Sequence, residues 1–280
     1  LAVDTLAFRR QLPWMRKRGY TFLHFSDIAR LRKEQKSLPN RSALIYFDDG
    51  YKDNLVNAMP ILRELDIPAT IFITTGFIDG THELWSMRIR YIISQATQSM
   101  FVFNGKRFEG RGEVVARKII AEGKLRTPPE RLEAETKTLA ESTGVVTPIP
   151  RDMFLTWADM KTMDTMFEFG SHGMTHQRLD RMNETVVHDE LYTSRQRIAD
   201  MLGKPVQTCS YPHGAYIAAT ERIAGELFEY AVTTDDGLNS LIRPNWLHLQ
   251  SVKAATNGHT STFTSELGCW NIFRNFKNRQ

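Results

Sequence analysis

The chain has 280 residues, 41% of them hydrophobic and 24% charged, which is enough apolar content to bury one large core. Its formal net charge of +4 is mild, and no helix-turn-helix, zinc-finger or RNP-like pattern accompanies it, which argues against nucleic acid as a partner. No apolar stretch is long enough to span a bilayer, so no transmembrane segment is expected.

In chain order, the first strong element is Ala43-Leu44-Ile45-Tyr46-Phe47, an apolar run with the look of a strand buried on both faces. It stops on Asp48, Asp49 and Gly50. Two carboxylates side by side where a buried strand ends are costly unless a cation or a proton compensates them, so the pair marks a site. The plainer reading is a solvated Asp-Asp-Gly turn. Leu55 to Leu65 then reads as an amphipathic helix and Ala69 to Ile73 as a second buried strand.

From 81 to 150 the alternation breaks into charged, helical patterns with few strand runs, a helical insertion or lid with turns at Pro128-Pro129 and Pro148-Ile149-Pro150. Lys106, Arg107, Arg111, Arg117, Lys118, Lys124 and Arg126 make part of it basic. That pattern is a solvated helical face or, more sharply, a groove for an acidic glycan or a membrane surface. Trp85 and Trp157, at its two ends, are core aromatics or platforms for a sugar ring.

Phe169-Gly170-Ser171-His172-Gly173-Met174-Thr175-His176 follows. A helical turn beginning there would put both histidines on one face, within reach of one metal ion. Two unrelated histidines in a glycine-rich loop are the plainer alternative. Together with the strand-end carboxylates they make an open shell of one carboxylate and two imidazoles, suited to a borderline divalent ion. Thr185 to Leu202 reads as a crossing helix and Ala231 to Thr234 as a further buried strand. Alternating units of this kind argue for an α/β barrel-like parallel sheet with helices outside and the motifs at the strands' C-terminal ends. Cys209 and Cys269 are too few for a disulfide framework; they pair with each other, or Cys209 fills a gap in the core.

These motifs resemble those of the polysaccharide deacetylase family, the carbohydrate esterases of the NodB-homology type. Tyr46-Phe47-Asp48-Asp49-Gly50 is similar to the family's Thr-Phe-Asp-Asp-Gly, His172-Gly173-Met174-Thr175-His176 to its His-Ser/Thr-x-x-His, and Tyr211-Pro212-His213-Gly214 to its Arg-x-Pro-Tyr-Gly. Phe8 to Tyr20 resembles the helix and turn ahead of the first motif, Pro68 to Ile73 the next strand, and Ala231-Val232-Thr233-Thr234 the strand before the fourth motif. The resemblance implies a distorted (β/α)7 barrel over residues 1–280 as a single domain, with 81–150 inserted in it. It also implies a further strand, with any targeting segment, ahead of Leu1. The location expected is the cytoplasm if this N-terminus is complete, and the cell envelope or periplasm if a targeting segment has been removed.

The resemblance implies that Asp49, His172 and His176 hold a divalent metal, Zn2+ by preference, and that Asp48 is the general base. It also implies that Tyr211, Pro212, His213 and Gly214 meet the substrate, with a backbone N–H of that segment as oxyanion donor. The general acid is open between His248, in Leu247-His248, and His213, which stands where the family has tyrosine. Ser210 replaces the arginine that tunes the base, and Gly173 replaces a Ser or Thr. Asp235 and Asp236 are the fourth-motif acid or simply a turn. The function expected is metal-dependent removal of N-acetyl groups from a carbohydrate, the partner being a bacterial polysaccharide or cell-envelope glycan. The alternatives are a non-catalytic glycan-binding or scaffold barrel, or an amidase acting on a non-carbohydrate C–N bond.

Overall fold

The computed structural model describes residues 5–163, 166–253 and 269–274. Contacts divide the chain into two units, one running through Ile78 and resuming at Asp152, the other Asp79–Arg151.

The larger unit is a curled sheet. β1 (Thr21–Phe22), β2 (Arg41–Phe47) and β3 (Ala69–Ile73) precede the inserted unit, whose own strands are β4 (Met100–Phe103) and β5 (Lys106–Glu109). β6 (Phe167–Ser171), β7 (Thr208–Ser210), β8 (Tyr230–Asp236), β9 (Asn239–Ser240), β10 (Leu249–Lys253) and β11 (Cys269–Arg274) follow. The pairing order β2-β3-β6-β7-β8-β10 is parallel throughout. β11 runs antiparallel to β10 and to β2, and so joins the two ends of that series. This is the (β/α) barrel expected.

The strand sequences explain why the sheet curls around a filled centre. In β2, Ala43, Ile45 and Phe47 belong to the layer between sheet and helices, while Leu44 and Tyr46 belong to a second cluster with Phe72, Tyr230 and Val232. A strand apolar at every position can fill both layers at once. The helix Phe25–Lys33 sends Phe25 into that second cluster, edge-on to the ring of Phe72 and tilted against that of Tyr230. Its first amides, those of Phe25 and Ser26, donate to the carboxylate of Glu168 on β6 at 3.0 and 3.2 Å, so the helix's positive end is met by a negative charge. The helices Thr5–Lys17 and Glu184–Leu202 pack outside. The second of these starts on an Asn183 cap and stops on left-handed Gly203. Cys209 is buried in this core; its suggested partner Cys269 has a side chain outside the described residues.

The unit Asp79–Arg151 has its own core, in which Ile89, Ile92, Phe101, Phe103, Ile119 and Leu139 meet. The helical patterns read there form as Trp85–Gln95, Gly112–Arg126 and Pro129–Thr143. The few strands there are the β4–β5 hairpin, which turns on Asn104-Gly105 with both residues at positive φ, the signature of a tight hairpin turn. Trp85 is a packing residue: a Cβ on Gly123 would lie 2.6 Å from its ring. Lys106 and Arg126 pair with Glu122, and Arg117 with Glu113, which answers part of the basic cluster within the unit. Among the described residues, no helix is long and apolar enough to cross a membrane.

Candidate metal centre and active site

The parallel strands deliver their chemistry at one end. β2 runs into Asp48 and Asp49, β6 into His172, β7 into Tyr211, and β8 carries Asp235 near its C-terminus. At the end of β2 the chain turns sharply: Asp49 and Gly50 both take left-handed conformations, at φ 68° and 77°, and Gly50 N–H donates to Asp48 O at 2.9 Å. Aspartate tolerates that region and glycine prefers it, which is why the strand can stop on these residues and turn both carboxylates inward.

The structure brings Asp49, His172 and His176 together, with one ligand atom of each within 4.8 Å of the others. Asp49 Oδ1 lies 3.3 Å from His176 Nε2 and 3.7 Å from His172 Nε2. That oxygen is buried and has no hydrogen-bond partner in the protein. A buried carboxylate oxygen without a partner, faced by two imidazole nitrogens, is an arrangement that a divalent cation satisfies. His172 is oriented for this from behind. Its Nδ1 lies 2.8 Å from the carbonyl oxygen of Ser210, and since a carbonyl only accepts, Nδ1 carries the proton and Nε2 presents its lone pair.

The route by which the histidines converge differs from the helical turn expected. No helix forms at 172–178; Gly173 and His176 adopt φ of 75° and 60° and the segment is a loop. The carbonyls that would begin helical hydrogen bonding, those of Gly173 and Met174, instead accept from Thr75 and Gly76 at 3.2 and 2.9 Å. On the other side, Glu190 of the helix Glu184–Leu202 accepts from the Met174 amide at 2.8 Å, from the Thr175 hydroxyl at 2.8 Å, and from the Thr175 amide. Sequence reasoning missed Glu190. Its signal was a carboxylate next to Leu191 and three residues after Val187, on the face that the helix buries.

Burial raises the Asp49 carboxyl to about 6; the nearby Asp48 adds to the shift, while His172 and a hydrogen bond from Tyr51 oppose it. Asp48 is also pushed upward by burial, against the pull of His172 and a side-chain hydrogen bond from Ser210. Ser210, standing where the resembling family has a cation, thus touches both halves of the site, with its carbonyl on His172 and its hydroxyl on Asp48.

Of the segment expected to meet substrate, Tyr211 requires a correction. Its side chain is fully buried, its hydroxyl donates to Leu247 O at 3.0 Å and its amide to Val232 O at 3.0 Å. Pro212 has no N–H, and the Gly214 amide is taken by Tyr211 O at 2.7 Å. These contacts hold His213 at φ 60°, with its ring 4.4 Å from that of His176. His213 is therefore the member of the segment whose ring lies against the Asp49–His172–His176 cluster. The other acid candidate, His248, is grouped with Asp235, whose Oδ2 lies 2.9 Å from its Nε2. Asp235 lies within β8 rather than in the turn weighed for it. Trp157 packs against the larger unit's core with Arg197 over its ring.

A family profile described as polysaccharide deacetylase matches residues 35–231. A stretch of 81 residues is 35% identical to the poly-beta-1,6-N-acetyl-D-glucosamine N-deacetylase of Staphylococcus epidermidis, covering 29% of this chain and 28% of that protein. A stretch of 69 residues is 33% identical to the Escherichia coli K12 protein of the same name, covering 25% of this chain and 10% of that one. The chain thus matches well under half the length of these curated relatives. Among solved structures, the Streptococcus pyogenes deacetylase PplD in complex with acetate superposes with a TM-score of 0.59 at 21% identity, over 89% of this chain and 80% of that one, a likeness of fold.

Proposed function

The chain belongs to the polysaccharide deacetylase family, and from that premise we propose that it is a hydrolase removing N-acetyl groups from a glucosamine-containing polysaccharide, with a divalent metal held by Asp49, His172 and His176. The observation that carries the reading is the buried, partnerless Asp49 Oδ1 facing two imidazole Nε2 atoms, with a second carboxylate, Asp48, next to it in the chain. The names of the two curated relatives support the choice of sugar.

A bound divalent ion would supply Lewis acidity toward the acetamide carbonyl and acidify a water molecule at the site. The chain's own residues do the rest. Asp48 takes the proton of the attacking water; its raised affinity for protons makes it a better base than a solvent-exposed aspartate, and the Ser210 hydroxyl holds it in place. The water oxygen bonds to the carbonyl carbon, the C–N bond breaks, and His248 gives a proton to the departing amine nitrogen while Asp235 holds its ring. Acetate and the free amino sugar leave. His172 keeps its lone pair forward through Ser210 O, and Glu190 keeps the His176 loop closed.

The test is a calorimetric zinc titration of the metal-stripped protein beside His172→Ala, followed by acetate release from a β-1,6-linked N-acetylglucosamine oligomer. One site, lost in the variant, together with acetate release supports the reading. Absence of a site in the wild type would sink it.

A further inference from the structure

His248 has a second neighbour. The Tyr216 hydroxyl lies at the edge of its ring, 2.8 Å from Nδ1 and 3.1 Å from Nε2, and donates to Asp235 Oδ2 at 3.1 Å. The three groups come from three separate stretches of chain: the end of β8, the segment after Gly214, and the approach to β10. Tyr216 is itself held on its flat side, stacked on the fully buried ring of Tyr211 at 5.3 Å. Its ring meets the imidazole edge-on, at 77° and 4.8 Å between centroids.

Proton bookkeeping assigns the roles. Asp235 Oδ2 lies 2.9 Å from His248 Nε2, and a carboxylate only accepts, so Nε2 carries a proton. The Tyr216 hydroxyl spends its single proton on the same carboxylate. One of its oxygen lone pairs is then left for Nδ1, whose proton exists only in the charged, acid form of the imidazole. Burial, followed by the hydrogen bond to Asp235, pushes the Tyr216 hydroxyl up to about 12, so it stays a neutral donor. The other carboxylate nearby, Glu221 on the helix Ala218–Leu227, accepts from Asn245 at 3.1 Å.

We propose that Tyr216 is a positioning residue for His248: its hydroxyl, anchored on Asp235, fixes the ring with Nε2–H toward the carboxylate and holds the Nδ1–H of the charged form by a hydrogen bond until the departing amine nitrogen takes that proton. This rests on the reading of His248 as general acid. A ring anchored at one nitrogen alone can swing about that contact, whereas two contacts fix its plane. The role is specific to the oxygen atom, because phenylalanine would preserve the stack on Tyr211.

Long-range proton–nitrogen NMR of the full chain tests this without turnover, with His248→Ala used to assign the ring signals. In the wild type, charged His248 is expected to show two ring N–H protons, with the one on Nδ1 slowed in exchange by the Tyr216 oxygen. In Tyr216→Phe the Nδ1–H proton is expected to disappear into solvent exchange, and kcat for acetate release from the N-acetylglucosamine oligomer to fall about tenfold with KM unchanged. A Tyr216→Phe spectrum that keeps the wild-type Nδ1–H proton overturns the proposal, as does a wild type whose charged ring shows no such proton. If His248→Ala releases acetate as well as the wild type does, the general-acid reading fails, and the NMR result still decides what Tyr216 does to the ring.

Discussion

The Nδ1 atom of His172 lies 2.8 Å from the carbonyl oxygen of Ser210, so the end of one strand sets the tautomer of a histidine at the end of its neighbour. The same serine hydrogen-bonds Asp48 through its side chain. Backbone and side chain of one residue therefore act on the proposed metal ligand and on the proposed base separately, and substitution separates them.

Ser210→Ala removes the hydroxyl and leaves the carbonyl. Zinc affinity is expected to stay within about twofold of wild type. Asp48, losing a hydrogen bond that favours its ionised form, should move further upward. A base must be ionised to work, so the acidic limb of the pH profile for acetate release should shift to higher pH, by roughly half a unit to one unit. An unmoved limb would mean that the hydroxyl does not bear on the base.

His172→Ala and His176→Ala each remove one of the three ligands proposed for the metal. Calorimetry should show zinc affinity reduced by at least about a hundredfold in each. Circular dichroism should show both variants folded, since neither side chain belongs to the apolar core.

Asp49 gives a stability prediction for the metal-free protein. Burial holds its carboxyl at about 6 in the folded protein, against an ordinary 3.8. The folded state therefore binds the proton more tightly than the unfolded chain, so this contribution is fully present below about pH 4 and is lost as pH rises through 6. At pH 7 the loss amounts to about 3 kcal/mol. Asp49→Asn carries no such charge. Its Tm relative to wild type, in the presence of a chelator, should rise between pH 4 and pH 7.5. Saturating zinc should reverse the order at neutral pH by stabilising the wild type alone.

Glu190→Ala leaves the amides of Met174 and Thr175 without their acceptor. Loss of a buried acceptor to two amides and a hydroxyl is expected to cost about 2–3 kcal/mol in chemical denaturation and to weaken zinc binding roughly tenfold or more by loosening His176. If stability falls while zinc affinity holds, Glu190 supports the fold and not the metal loop.

The buried strands and the grouping of one carboxylate with two imidazoles were legible because both are written locally. Ala43 to Phe47 and Ala69 to Ile73 are apolar at nearly every position, and strands buried on both faces need that. Asp48 and Asp49 stand out because two charges directly after such a strand have no structural reason to be there. The β4–β5 hairpin was legible too, in Asn104-Gly105, but was hidden among helical patterns of charge. The helical turn at His172 was misread because the i, i+4 spacing is a property of an isolated helix. Here Thr75 and Gly76 take the carbonyls such a helix would need.

By itself, then, the sequence determined the barrel's parallel strands, the charged residues at their ends and the one carboxylate with two imidazoles, because hydrophobic period and strand-end charge are properties of contiguous residues. Only the tertiary structure decided which groups hold them: Ser210 behind His172, Glu190 under the His176 loop, and Tyr216 and Asp235 around His248. Those partners are joined by hydrogen bonds between distant stretches of chain, and a hydrogen bond formed only when strands and helices close around one another leaves no period in the sequence to read.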